Sequence, residues 1–424
     1  YFRSGISDIR RDRNGRIRSV KWYKLIRNQF SGSFQEAAAS FRSLFEQAVS
    51  EHLMADVPVG TALSGGLDSS SIVCEVNRIL RNNGTAELQK TFSSCAADER
   101  YNEKRWMDIV TEHIRVDSHI IYPQLQDAID TTKKLIWYQD EPYQSQSAFL
   151  GFKIFGLARE NGVKVLLNGQ GADEYLGGYG QFTAARYADM VRQFRWCSLN
   201  SDIRNLRKIR PIPKATLLRH ISFHLIPSFL RGRLVNITGS ADFIRKIVDI
   251  EKLGISFTHP YDVIPVKMNS VPEISEHLTF YSTLPKYLRW EDRNSMAHSI
   301  EARVPFLDHR LVEFAYSLPD DFLDKDGVTK RVMREAMDNL LPEKIKNRKD
   351  KMGFTTPEEL WVKKEKPDFF RKWILEAISV TDGIIKPESV TYFDRLVKGE
   401  VPFDFTYWRI ILFSEWMQKF RVRQ

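Results

Sequence analysis

Apolar residues first fall at helical spacing between residues 33 and 53. Phe41, Leu44, Phe45, Ala48, Val49 and Leu53 share one face, and Ser33-Phe34-Gln35-Glu36 supplies a capping box ahead of them. Asp56-Val57-Pro58-Val59-Gly60 ends that helix, and residues 61–63 predict a short buried strand. A Ser/Gly turn follows. The next helix keeps Ile72, Val73, Val76, Ile79 and Leu80 inside and stops at Asn82-Asn83-Gly84. The pattern then predicts a strand at 90–95, a helix at 102–113, a short strand at 120–122, a helix at 147–161 and a strand at 163–167. Strands alternating with helices predict an α/β fold, a parallel sheet with helices on both faces. After Tyr179 the pattern is mostly helical, and residues 17–23 near the start look strand-like.

Composition narrows the class. The 424 residues suffice for roughly two to three domains, and with 42% apolar and 28% charged residues the chain can bury sizeable cores. No apolar run approaches the roughly 18 residues of a membrane helix. Cys74, Cys95 and Cys197 are scattered and odd in number, which suits a reducing cytoplasm, the expected location. The nine histidines form no HExxH run and indicate no zinc or haem site. The first thirty residues are basic but lack the apolar core of a secretory signal, and residue 1 is Tyr. The start reads as a cut edge of a larger protein.

Formal net charge is +9, and it is concentrated. Between Arg186 and Arg233 eleven lysines and arginines face two aspartates, Asp189 and Asp202, so the rest of the chain is close to neutral. A nucleic-acid-binding protein with charge spread over its length would not look like this. The segment reads as a basic, mostly helical insertion with a solvated face. A surface for an anionic partner, a nucleic acid or a membrane is the competing reading.

In a parallel sheet, ligands bind outside the carboxyl ends of the strands. Leu63-Ser64-Gly65-Gly66-Leu67-Asp68-Ser69-Ser70 sits there, between a strand and a helix N-terminus. Its glycines admit close backbone approach, its hydroxyls donate, and the helix amides face an anion, which makes a pyrophosphate cradle. The GxxxxGK[ST] lysine of the P-loop is missing, and Asp68 beside phosphates implies Mg²⁺. A second run, Asn168-Gly169-Gln170-Gly171-Ala172-Asp173-Glu174-Tyr175-Leu176-Gly177-Gly178-Tyr179, follows another strand. Asp173 offers a second metal ligand opposite Asp68. Residues 289–308 read as a charged helix ending at Pro305, shaped by buried pairs among Asp292, Arg293, Glu301 and Arg303. Farther on, Lys330 is the preferred lysine to stabilise charge as pyrophosphate leaves, ahead of Arg331 and Lys351.

The first run resembles the SGGxDS signature of the PP-loop ATP pyrophosphatases. The second resembles the S-G-E-G-x-D-E-x-F-G-G-Y run of asparagine synthetases within that group. Arg289 to Asp308 and Thr329 to Phe354 are similar to two further segments of the same family, in the same order. The resemblance runs from about Ser33 to the end, interrupted by the basic segment. It implies an ATP-dependent amide ligase that activates a carboxylate, by default L-aspartate, as an acyl-adenylate with release of pyrophosphate. Ammonia or another amine then displaces AMP. The implied cofactors are ATP and Mg²⁺. Carried over residue by residue, nucleotide contacts fall on Leu63, Ser64, Gly65, Gly66, Asp68, Ser69, Ser70, Ser94, Asn168 and Gly169, and the metal on Asp68 and Asp173. Glu174, Asp140 and Glu141 are the candidate substrate residues, with Lys330 and Gln170 as catalytic candidates. The expected organisation is residues 1–32 as the exit of a glutaminase domain plus a linker, 33–185 as the ATP-binding α/β core, 186–270 as the insertion and 271–424 as a helical C-terminal part. A glutaminase domain is expected upstream in the full-length protein. Other expected partners are the small-molecule carboxylate and the amine, with room for a homodimer and with neither nucleic acid nor a membrane span.

Three departures bear on activity. The family's glutaminase nucleophile is an N-terminal Cys, and the first Cys here is Cys74. Position 170 is Gln where asparagine synthetases carry Glu, and an amide cannot serve as a general base near neutral pH. Asp140-Glu141-Pro142-Tyr143-Gln144-Ser145-Gln146-Ser147 holds no arginine to clamp a substrate carboxylate. Competing functions are a related ligase forming a β-lactam, a cyclic peptide or an amidated sugar acid; an RNA-modifying PP-loop enzyme; and a non-catalytic nucleotide-binding homologue.

Overall fold

The structure is a computed structural model describing residues 7–11, 17–21, 23, 25, 27–96, 98–227, 230–231, 240–255, 263–264, 266–350 and 356–422. An antiparallel hairpin, β1 (Ser7–Arg11) and β2 (Ile17–Lys21), comes first. The central sheet has five parallel strands: β3 (Val59–Ala62), β4 (Lys90–Ser94), β5 (Asp117–Ile121), β6 (Val165–Leu167) and β7 (Glu301–Arg303). Their order in space is β5-β4-β3-β6-β7. The chain runs outward from β3 through β4 to β5, then returns to place β6 on the other side of β3. The crevice between β3 and β6 is therefore the topological switch point, where an open α/β sheet binds ligands.

Helices cover this sheet as the alternating pattern requires. The helix α1 (Phe34–His52) starts with the capping box: Ser33 Oγ accepts from the Glu36 N–H at 3.2 Å, and Glu36 accepts from the Ser33 N–H at 2.7 Å. Its residues Phe41, Phe45 and Val49 join one core with α2 (Leu67–Asn82) and α3 (Lys104–His113), and Ala48 is fully buried. A helix the sequence pattern did not flag, α4 (Leu125–Gln139), buries Leu125, Ala128, Leu135 and Ile136. With α5 (Ser147–Glu160) it forms a second, aromatic-rich core. That core includes Trp361, Phe370, Trp373, Tyr407 and Trp408 from the C-terminal helices.

Residues 289–308 require a correction. The helix Thr283–Ala297 stops at His298, and Ser299 takes a left-handed conformation with φ 54°. The chain then enters β7, pairing Glu301 with Val165 and Arg303 with Leu167. Of the expected buried pairs only Arg303–Glu301 forms, at 2.7 Å, with Glu301 exposed. Arg293 pairs instead with Asp140 at 2.9 Å and is exposed. Edge-strand pairing won over helical periodicity because Ala302 and its neighbours extend the sheet beside a fully buried β6.

Past α6 (Ala172–Tyr175) the basic segment is helical where described, with α7 (Gly180–Arg192), α8 (Trp196–Ile209) and α9 (Lys214–Leu225). Tyr187, Met190, Leu199, Leu206, Leu217 and Ile221 form their own small core.

Candidate active site

The turn after β3 is locked from both sides. Leu63 N–H donates to the Phe92 carbonyl at 2.9 Å, which holds the strand end in register. Gly65 then takes φ 72°, and a Cβ there would lie 2.6 Å from Trp106 Cβ and 2.8 Å from the Met107 nitrogen. Glycine is required on both counts. The Gly65 carbonyl accepts from Arg348 Nη1 at 3.0 Å, while Arg348 Nη2 donates to Glu103 Oε1 at 2.7 Å. The guanidinium also lies over the Trp106 ring at 4.6 Å. Removal of Glu103 from water outweighs its pairing with Arg348 and raises its pKa. Within the turn, the Ser64 and Ser69 hydroxyls lie 2.9 Å apart, and Ser69 Oγ accepts from the Ser64 N–H at 3.1 Å. Gly66 offers no capping side chain to the first-turn amides of α2, which leaves those donors to an anion.

The loop after β6 approaches that turn closely. A Cβ on Gly169 would sit 2.9 Å from the Ser69 nitrogen and 3.1 Å from Asp68 Cβ. Asn168 N–H donates to the Arg303 carbonyl of β7 at 3.0 Å, and Asn168 Oδ1 accepts from the Gln170 N–H at 2.9 Å. Asn168 Nδ2 donates to Glu291 Oε1. Asp173 stands in the first turn of α6.

Lys330 joins the two strand ends. Its Nζ lies 2.5 and 2.6 Å from the Asp68 carboxylate oxygens and 2.7 Å from Asp173 Oδ1. The residue is 5% exposed. Burial opposes its charge, but Asp173 and Asp68 outweigh that and hold its pKa above the ordinary lysine value. It follows the hairpin β8 (Asp324–Lys325) and β9 (Val328–Thr329), with φ 54°. Helices α7 and α8 brace this hairpin. Gly327 at its tip approaches Leu206 of α8 so closely that a Cβ would lie 2.7 Å from Leu206 Cα. Asn205 donates to Asp326 at 2.9 Å, and Thr183 Oγ1 donates to Asp324 at 2.6 Å. Arg186 ties Asp202 at 2.7 Å to Asp321 at 2.9 Å.

These elements enclose a cleft of about 420 Å³. The family model for asparagine synthase matches residues 40–418. This chain belongs to the asparagine synthase family. Asparagine synthetase [glutamine-hydrolyzing] 1 of Bacillus subtilis is 27% identical over 376 residues, covering 82% of this chain and 54% of that protein. Asparagine synthetase [glutamine-hydrolyzing] 3 of the same organism is 26% identical, covering 78% and 50%. Amidase chry2 of Gibberella zeae is 24% identical, also covering 78% and 54%. The chain thus spans about half the length of the curated relatives it matches.

Within this asparagine synthase domain, Leu63, Ser64, Gly66, Asp68, Ser69, Asn168, Gly169, Gln170, Asp173 and Lys330 all line the cleft. Six sequence-expected residues are not part of that lining: Gly65, whose backbone shapes the turn, and the five that follow. Ser70 is fully buried in α2, and Ser94 ends β4. Glu174 is buried behind the wall, accepting from Tyr179 Oη at 2.7 Å, and burial followed by repulsion from Asp173 pushes its pKa to about 7. Asp140 and Glu141 are engaged by Arg293 and Arg289 rather than lining the cleft. Arg331 stacks over Phe34 at 4.8 Å and donates to the Asp321 carbonyl, and Lys351 lies outside the described residues. Sequence reasoning passed over Glu291, Arg348 and Arg210, all of which line the cleft. The first two stand in the family-like segments Arg289 to Asp308 and Thr329 to Phe354. Arg210, at the end of α8, reaches the Lys349 carbonyl at 3.2 Å, and no local pattern signals that.

Among the described residues, no group of three or more His, Cys, Asp or Glu could hold a metal by itself. Two carboxylates converging on one cation is nevertheless the donor set Mg²⁺ uses when phosphates and water complete its shell. The residues present fit that ion.

Proposed function

We propose that this chain is the ATP-dependent synthetase part of an asparagine-synthetase-like amide ligase. The observation that carries it is the convergence of Asp68, Asp173 and Lys330 at the switch point beside a glycine turn built for phosphates. Asp68 and Asp173 would hold Mg²⁺, which supplies charge neutralisation on the pyrophosphate leaving group. With a nucleotide bound, Lys330 turns its charge from the two aspartates toward the phosphates, already desolvated and positioned. The Ser64 and Ser69 hydroxyls exchange their mutual contact for phosphate oxygens. The Gly65-Gly66 backbone and the first-turn amides of α2 bind the same group. A substrate carboxylate oxygen attacks the α-phosphorus, the bond to pyrophosphate breaks, and an acyl-adenylate forms. An amine then attacks the acyl carbon and AMP leaves. L-Aspartate is the default acid, and ammonia the default amine.

The test is ATP–pyrophosphate exchange with Mg²⁺, with and without L-aspartate. Exchange that depends on aspartate, with asparagine formed on adding ammonium, supports the whole proposal. Exchange with a different acid keeps the ligase and replaces the substrate. ATP binding without exchange for any acid sinks the catalytic reading.

The related-ligase alternative also has an observation behind it. The 140–147 segment presents no arginine, and its two acidic residues are tied to Arg289 and Arg293. A substrate other than aspartate, without a second carboxylate to clamp, suits a segment of this kind.

A further inference from the structure

Gln170 leaves the proposed amidation step without an obvious proton acceptor, since a neutral amide does not take a proton near pH 7. The cleft offers one. Glu291 lines it from the helix Thr283–Ala297, and its Oε1 accepts from Asn168 Nδ2. Asn168 in turn accepts from the Gln170 N–H through Oδ1 at 2.9 Å. One asparagine side chain therefore orients the Glu291 carboxylate from the backbone of the very position that carries glutamine. Asn168 directly precedes Gly169, which packs against Asp68 and Ser69. The carboxylate thus stands at the β6 end of the switch-point crevice, where the acyl-adenylate would form.

We propose that Glu291 is the general base of the amidation half-reaction. This rests on the ligase reading above. The amine nitrogen forms its bond to the acyl carbon, and the N–H proton passes to the Glu291 carboxylate. The C–O bond to AMP then breaks, and AMP leaves with the electron pair.

The surroundings suit that task. Removal from water raises the Glu291 pKa, the hydrogen bond from Asn168 opposes the rise and Asp292 adds to it, with a result of about 8. Charged groups on its own helix and on the packed elements have other contacts, and Lys286 of the same helix lies over the Tyr287 and Trp290 rings. On its own helix Arg289 pairs with Glu141 and Arg293 with Asp140, at the end of α4. From α5, Lys153 pairs with Asp127 at 3.5 Å, and the α5 residues in the cleft wall are Ser147, Ala148, Gly151, Ile154 and Phe155. From β7, Glu301 pairs with Arg303. On the packed helix Val271–Phe280, Glu276 pairs with Arg27, Glu273 accepts from the Asn269 N–H, and burial lowers the pKa of His277. Asp292 is the neighbour that sets the charge seen by Glu291. A base of this kind is typically worth 10²–10⁴-fold in rate.

The experiment compares two half-reactions in the whole chain. Acid-dependent ATP–pyrophosphate exchange reports adenylation, and amide formation from ammonium chloride reports the full cycle. In the wild type, with ammonium chloride adjusted to hold free ammonia constant, the ratio of amide formation to exchange rises with pH through about 8. In Glu291→Gln that ratio falls on the order of 10²-fold and loses its rise, and Glu291→Asp recovers part of it. Asp292→Asn moves the midpoint of the rise to lower pH, because it removes a charge that disfavours the Glu291 carboxylate. A purely structural role would not produce that shift. Glu291→Gln making amide at the wild-type ratio overturns the proposal. So does a parallel loss of exchange and amide, which would mark Glu291 as scaffold. Absence of exchange in the wild type with every acid overturns the ligase reading itself, and shows before any variant is made.

Discussion

The turn at 63–70 and the hairpin at 324–329 deliver opposite charges to one ion pair, yet they are built differently. The turn is local. Its shape follows from Gly65 at φ 72°, two hydroxyls and a helix start within eight residues, and it needs outside help mainly from Arg348. The hairpin has two residues per strand and cannot hold itself. It is held by α7 and α8, through Thr183, Asn205 and Leu206, while Arg186 holds Asp321 just ahead of it. The insertion, whose composition suggested a solvated basic face, is thus also the buttress of the lysine. Several of its arginines are exposed, while Arg186 and Asp202 are buried.

The strongest test removes the charge that the two regions share. Lys330→Met is expected to lower acid-dependent ATP–pyrophosphate exchange by about 10²–10³-fold. It also leaves Asp68 and Asp173 facing each other, so the variant should bind Mg²⁺ at least as well as the wild type. Exchange within a few-fold of wild type would remove Lys330 from the chemistry.

Next in size is the clamp on the turn. Arg348→Ala leaves Glu103 and the Gly65 carbonyl without their partner, and should cost about 2–3 kcal/mol in a denaturant melt. It should also raise the KM for ATP, because the turn it releases is where phosphates bind. An unchanged KM would mean that the turn holds its shape unaided.

Gly327→Ala probes the buttress. Its φ is 75° and the new Cβ meets Leu206 backbone, so a loss of about 1–3 kcal/mol is expected. Here kcat for exchange should fall with little change in the KM for ATP, the reverse of Arg348→Ala. If both variants move the same parameter, the two regions are not separable.

The smallest effect is a pH dependence confined to the hairpin. Burial raises the Asp324 pKa to about 6, above the hydrogen bond from Thr183 that lowers it. An acid whose folded pKa is raised stabilises the fold most below its unfolded value. That contribution is lost as pH climbs from about 4 through about 6. Asp324→Asn has no such loss. Its stability relative to wild type should grow by about 1–2 kcal/mol between pH 4 and pH 7, followed by thermal melts. A difference that does not change with pH would place the Asp324 carboxylate in water.

Much of this was legible in the residues themselves. The capping box at Ser33, the turn around Asp68 and the acidic loop around Asp173 are short-range patterns, and strand–helix alternation carries the sheet, because local sterics and burial periodicity dictate them. The asparagine synthase family follows from such runs in their order. The sequence did not determine that residues 301–303 leave a helical pattern to become the fifth strand, since that depends on pairing with β6. Nor could it show that Asp140 and Glu141 spend their charge on Arg293 and Arg289, or that Glu291 comes to rest against Asn168. Such contacts join residues far apart in the chain, and their energy depends on distance and exclusion of water, which exist only once the chain has folded.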